Sequence, residues 1–196
     1  MAACGDLCDA PGVVEAAVAA LALAAKAPPP PGRFLAVDAN RHRVTITLIA
    51  SYDGTNGGFN FDGYSRVLMW RVPRGWTVRV VCKNRGPLRH SCAVVRDSGS
   101  TRPAFRGATT PQPGIGIEAG HTARFTFRAS RTGVFRFASL VPGQEAARMW
   151  DVLKIVRRGR PSVVDLRAKS SALRPGIEEL RQRESTVSRW LRAEST

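Results

Sequence analysis

The sequence predicts an all-β sandwich of two antiparallel sheets, with an added segment at each end. Two patterns carry that prediction. Residues 43–49 alternate in character and are rich in Val, Ile and Thr, the period of a strand with one buried face. Six further short runs follow, punctuated by Gly, Pro and Asn, and about seven short strands with such punctuation indicate a two-layer sandwich.

Residues 1–32 stand apart from the sandwich. Residues 13–27 are an Ala-rich apolar run containing Glu15, shorter than the roughly 20 residues of a membrane span. The flank before it carries Asp6 and Asp9 and no base, unlike a secretory leader. Two readings stay open: an export segment, or a short helix on a spacer. The spacer is Pro28-Pro29-Pro30-Pro31, a stiff extended linker that sets the first boundary.

Residues 33–157 form the predicted domain. Its strands are residues 43–49, 66–72, 76–83, 91–95, 121–129, 134–138 and 149–156. Residues 51–60 are a Gly/Asn loop, and Pro73-Arg74-Gly75 turns the second strand into the third. Val78, Val80 and Cys82 share one face of that third strand, by the two-residue period. Residues 96–120 are a long loop with Pro103, Pro111 and Pro113. Ala123, Phe125 and Phe127 alternate along the fifth strand, and Thr132-Gly133 turns into the sixth.

Residues 158–196 are a basic extension. Within it, residues 171–196 read as a helix broken near Pro175, with Ile177, Leu180, Val187, Trp190 and Leu191 at its apolar positions. It either packs on the domain or forms a loosely ordered tail, or it serves as a basic amphipathic segment for a membrane surface or a partner.

Charge points to a partner class. Lys and Arg total 30 against 15 Asp and Glu, and the excess is uneven. Residues 33–156 hold 19 bases and 7 acids, so the domain itself is basic and not only its tail. Such a surface fits an acidic protein or multi-subunit assembly first, with an anionic membrane or nucleic acid as other options. The four cysteines, Cys4, Cys8, Cys82 and Cys92, make no CxxC and no zinc half-sites.

Several motifs, in order, carry a resemblance. They are Gly58-Phe59-Asn60-Phe61-Asp62-Gly63-Tyr64, Val72-Pro73-Arg74-Gly75-Trp76-Thr77-Val78 and His90-Ser91. Ala104-Phe105-Arg106-Gly107-Ala108-Thr109-Thr110-Pro111 follows, then Gly133-Val134-Phe135, Val141-Pro142-Gly143 and Met149-Trp150-Asp151. Together these resemble the sulfocyanins, over residues 34–156. Arg89 departs from the family's Pro-His-Ser strand. The resemblance implies a cupredoxin-like Greek-key β-sandwich of seven to eight strands. It also implies an exported protein that carries one electron on a mononuclear copper.

That copper needs a thiolate and two imidazoles in a plane, with a weak axial thioether. The resemblance implies a first His on one strand, then Cys-x4-His-x4-Met on one loop. His90 and Met149 occupy the first and last positions, but Ser139 stands where the Cys belongs and Gln144 where the second His belongs. A protonated hydroxyl and an amide oxygen replace neither donor. Cys92 lies two residues beyond His90 on the same strand face, about 6–7 Å further along. Cys82 and Cys92 are therefore read as core thiols or a disulfide, with a relocated copper ligand at Cys92 as the competing reading.

Other chemistries find less support. Ser139 is not on a nucleophile elbow, and no Asp is placed by sequence to orient His90. His42 and His121 flank strands and read as solvated. Gly114-Ile115-Gly116 does not open a helix after a strand. Arg66, Arg71, Arg74, Arg79, Arg85, Arg89 and Arg96 offer a phosphate-binding face but lack interleaved stacking aromatics, Trp70 and Trp76 reading as core.

The expectation is a non-enzymatic cupredoxin homologue that has lost its copper, binds no cofactor and docks to an acidic partner outside the cytoplasm or at a membrane. The alternatives are a copper electron carrier on an altered ligand set, and a binder of anionic surfaces.

Overall fold

The structure, a computed structural model, describes residues 28–168. The Ala-rich run, Cys4, Cys8 and the helix expected over 171–196 lie outside the described residues. A short 3-10 turn (Pro31–Phe34) leads from the prolines into nine strands. These are β1 (Leu35–Asp38), β2 (Arg43–Ala50), β3 (Leu68–Pro73), β4 (Thr77–Asn84), β5 (Ala93–Val95), β6 (Thr122–Arg128), β7 (Gly133–Ala138), β8 (Trp150–Val156) and β9 (Ser162–Asp165).

They form two sheets, one ordered β1-β2-β4-β6 and the other β5-β7-β8-β3-β9. The sandwich holds, but the expectation of purely antiparallel sheets does not. β2 runs parallel to β4 and β3 parallel to β8. The cause is a crossover: the chain leaves the first sheet after β2, makes β3 in the second, and returns as β4 beside β2 in the same direction. Strand number also rises, from seven or eight to nine. β1 is a short, largely exposed edge strand. β9 lies beyond the basic run 157–160 that the sequence reading takes as the domain's end, and it pairs antiparallel with β3.

Alternation fills the interlayer space. Val44, Ile46 and Leu48 of β2, with Val78, Val80 and Cys82 of β4, face Leu68, Trp70 and Val72 of β3 and Phe135 and Phe137 of β7. Phe105 enters from the long loop to lie 5.1 Å from the Phe127 ring and 4.8 Å from Phe135, with Arg131 over its face.

Two carboxyls are sealed in with these apolar groups. Asp62 Oδ1 accepts the Ile49 N–H at 2.8 Å, and Asp151 Oδ1 accepts the Leu68 N–H at 3.1 Å. The second oxygen of each has no partner among the described residues. Burial pushes both acids well above the ordinary carboxyl range, and the nearby Asp151 charge adds to the rise at Asp62. Asp165 pushes Asp151 further up, while Arg167 opposes that.

The folded chain therefore holds protons that the unfolded chain releases. The stability this contributes is complete below about pH 4 and is lost as pH rises through the raised values. Relative to an Asp62→Asn/Asp151→Asn variant, the wild-type urea midpoint is expected to fall steadily from pH 4 towards neutrality. Parallel profiles for the two proteins would show that neither carboxyl is linked to folding.

Candidate metal centre

Two segments meet at one end of the sandwich. His90 and Ser91 lie between β4 and β5, and the 139–149 loop joins the neighbouring strands β7 and β8. The loop is a closed turn: Ser139 N–H donates to Met149 O, Met149 N–H to Gln144 O, and Gln144 N–H to Val141 O. Outside groups hold it as well. Asn56 Nδ2 donates to Ala147 O at 2.6 Å and Ser65 Oγ to Arg148 O at 2.7 Å. Arg136 lies 4.0 Å above the Trp150 ring and bonds Glu145, whose other oxygen takes the Gly99 N–H.

His90 is walled in on two sides by glycines. A Cβ on Gly86 would meet Ser51 at 2.5 Å and His90 Nε2 at 3.2 Å. Gly116, at φ +83°, passes so close that a Cβ would lie 3.0 Å from the His90 carbonyl oxygen and 2.8 Å from Val141. Asn84 fixes the same region, donating through Nδ2 to Leu88 O and Ile117 O while its Oδ1 takes the Gly86 N–H.

The structure brings His90, Ser139 and Gln144 into one buried hydrogen-bonded group, with Met149 buried at the loop's end. Its protons follow from the partners. Gln144 Nε2 donates to Arg89 O at 2.8 Å, so Gln144 Oε1 is the acceptor that faces His90. His90 Nδ1, 2.8 Å away, therefore carries the ring proton and donates it. Ser139 Oγ donates to the same oxygen at 2.7 Å and accepts the Ser91 N–H at 3.1 Å. Ser91 Oγ lies 3.3 Å from Ser139 Oγ and accepts the Leu140 N–H at 2.8 Å.

The side-chain polar atoms of Ser139 and Gln144, at the Cys and second-His positions, are all paired inside the protein. Burial holds the His90 pKa below its ordinary value against the opposing Gln144 bond, which keeps the ring neutral. Its one lone pair sits at Nε2, on the far side of the ring, without a partner among the described residues.

The residues present do not fit copper of the thiolate type. Ser139 is a hydroxyl committed to Gln144, Gln144 offers a hard amide oxygen, and His90 turns a proton instead of a lone pair towards both. Cys82 and Cys92 are joined by a disulfide, which leaves neither sulfur as a thiolate. Among the described residues no three His, Cys, Asp or Glu side chains are grouped to hold a metal.

Ser139 also donates to Gln144 and not to His90, so the two do not form a nucleophile and base. His42 stands edge-on to Trp76, and His121 bonds its own loop at Ala119 O. The seven arginines grouped by sequence are not brought together: Arg71 belongs to β3 and Arg79 to β4 in opposite sheets, while Arg66 and Arg85 cover Trp150 and Tyr52.

Sequence reasoning misses Ser91, Gly86 and Gly116 as parts of the site. Only the His-Ser pairing hinted at the first, and nothing local marks the glycines.

The family model described as the sulfocyanin (SoxE) domain matches residues 30–159. No curated protein matches the chain. Among solved structures, dithionite-reduced auracyanin from Roseiflexus castenholzii is 23% identical over 57% of this chain and 96% of its own, with a TM-score of 0.44. Auracyanin A, a blue copper protein from Chloroflexus aurantiacus, is 19% identical over 58% and 99%, with a TM-score of 0.41. Rusticyanin variants are 14% identical over 63% and 86%, with a TM-score of 0.47.

Proposed function

This chain belongs to the sulfocyanin (SoxE) family and has its cupredoxin-like sandwich, and from that premise we propose that it is a copper-free member acting as a structural or docking subunit. It works outside the cytoplasm or at a membrane, without catalysis, and binds an acidic protein or assembly through its basic surface.

The observation that supports this reading is the Gln144 carboxamide. Its oxygen takes protons from both His90 and Ser139 while its nitrogen is tied to the Arg89 carbonyl. A buried polar group satisfied in this way gives up about 1–3 kcal/mol when opened. A metal would have to overcome that cost at a position with no thiolate to reward it. The competing reading, a one-electron carrier on His90, Met149 and Cys92, loses its thiolate to the Cys82–Cys92 bridge.

Copper titration separates the two. The oxidised full-length chain is mixed with Cu(II), desalted, and read for bound metal and visible absorption. The expected result is loss of the metal on desalting and no intense thiolate-to-copper band. A band on the untreated chain sinks the copper-free reading and restores the carrier.

A further inference from the structure

The outer face of the β1-β2-β4-β6 sheet collects cations in a way no single stretch of sequence displays. Strand register sets them in rows: Arg43, Thr77 and Arg128 lie across β2, β4 and β6 in one row, and Thr45, Arg79 and Thr126 in the next. Thr47, Val81 and Arg124 follow, then Ile49, Lys83 and Thr122. Arg43, Arg79, Lys83, Arg124 and Arg128 are all exposed, and none has an ion-pair partner among the described residues. Asp38, at the β1 edge opposite Arg43, is the one acid in these rows among the described residues, and it pairs with Arg41.

Arg43, Arg79 and Arg124, with Thr77 and Thr126, line a concavity of about 510 Å³. A second of about 400 Å³ adjoins it, shares those two threonines and adds Arg106 and Arg128. No two of these cations stand directly opposite one another, but Arg79 lies diagonal to both Arg43 and Arg124, within reach of long side chains. Asp38 apart, the rows hold no acid among the described residues to offset their mutual repulsion.

We infer that this face is a docking surface for the carboxylate side chains of an acidic protein segment, a site that rests on the docking reading above and gives it a place. Guanidinium forks match carboxylates two bonds at a time, and the interleaved threonine hydroxyls add donors between them. Other anionic partners fit less well. The large apolar side chains exposed among the described residues are Val37, Leu88, Ile115 and Val134, none of them in these rows, so the face has nothing to insert into lipid. Phe125, the aromatic at the concavity, is buried and offers no stacking platform for bases.

A fluorescein-labelled decaglutamate peptide, followed by anisotropy on the full chain, is the probe. Two triple variants of equal net charge are compared: Arg43→Gln/Arg79→Gln/Arg124→Gln on this face, and Arg71→Gln/Lys154→Gln/Arg157→Gln elsewhere. Removing like charges leaves the fold intact, which circular dichroism verifies. The expected result is salt-sensitive binding that weakens about tenfold in the first variant and changes little in the second.

Equal losses in both would overturn the assignment of this face while leaving the docking reading in place. No binding to the wild type would remove both. An oligothymidylate or phosphatidylserine vesicles held more tightly than the peptide through the same three arginines would overturn the partner class. None of these outcomes depends on copper, so the metal-free reading is judged separately by its own titration.

Discussion

Replacing Ser139 with Cys and Gln144 with His together is expected to turn the chain into a copper-binding, coloured protein. The two positions already converge with His90. Ser139 Oγ and Gln144 Oε1 are 2.7 Å apart, and Gln144 Oε1 is 2.8 Å from His90 Nδ1. The loop that presents them does not depend on those side chains for its shape. Its turn is closed by backbone bonds, its far side is pinned by Asn56 and Ser65, and its flank is tied through Arg136 and Glu145 to Gly99.

Removing the carboxamide also releases His90 Nδ1, which can then offer a lone pair in place of a proton. A thiolate, two imidazoles and the Met149 thioether are the donor set that copper of this type requires. Neither single change suffices. With Ser139→Cys alone, Gln144 still engages His90. With Gln144→His alone, the thiolate is missing.

Metal content after desalting and the visible spectrum distinguish the three variants, and only the double one is expected to hold copper with an intense band. Its metal-free form is expected to be less stable than the wild type by about 1–3 kcal/mol, the usual cost of breaking a buried hydrogen-bonded group. A double variant that folds natively yet takes up no copper would show that the 139–149 loop has drifted from a ligating geometry.

Much of the frame was legible because strand burial has a period of two. β2 and β4 stand where alternation places them, and Val78, Val80 and Cys82 point inward together. Periodicity reports which face a residue takes, however, and not which strand lies beside it. So the parallel pairings β2–β4 and β3–β8, and the late addition of β9, had no signature in the residues themselves. The arginine rows are the same case: Arg43, Arg79 and Arg124 are far apart in sequence and become neighbours only through register.

At the metal position, the 139, 144, 149 spacing and the two altered residues were readable once the resemblance was in hand. The protonation of the group was not. It rests on the Gln144 amide being turned by the Arg89 carbonyl, 55 residues away. Nothing in the sequence marked Asp62 and Asp151 as buried; only the packing of β2, β3 and β8 around these two seals them from water.

The disulfide has the other large expected effect. It joins Cys82 on β4, in one sheet, to Cys92, the residue just before β5 in the other, across a sequence separation of 10. His90 lies inside the closed loop, so the bridge limits how far its segment strays when the protein is unfolded and fixes where it sits when folded. A Cys82→Ala/Cys92→Ala variant is expected to lose about 2–3 kcal/mol, read as a lower urea midpoint.

The loss should reach the site too. Burial is the main cause of the depressed His90 pKa, so a looser segment lets it rise towards its ordinary value, visible in an NMR titration of the ring. Unchanged midpoints and an unchanged His90 titration would mean that the Asn84 bonds to Leu88 and Ile117 hold the segment unaided.

Chemical reduction of the wild type carries the argument one step further, because it frees the Cys92 thiol that the variant deletes. Cys92 is fully buried in the core, where desolvation disfavours a thiolate. The reduced chain is therefore expected to remain colourless with copper. If it gains a band that both the oxidised chain and the Cys92→Ala protein lack, Cys92 is a relocated ligand, and the bridge is what keeps this protein from carrying electrons.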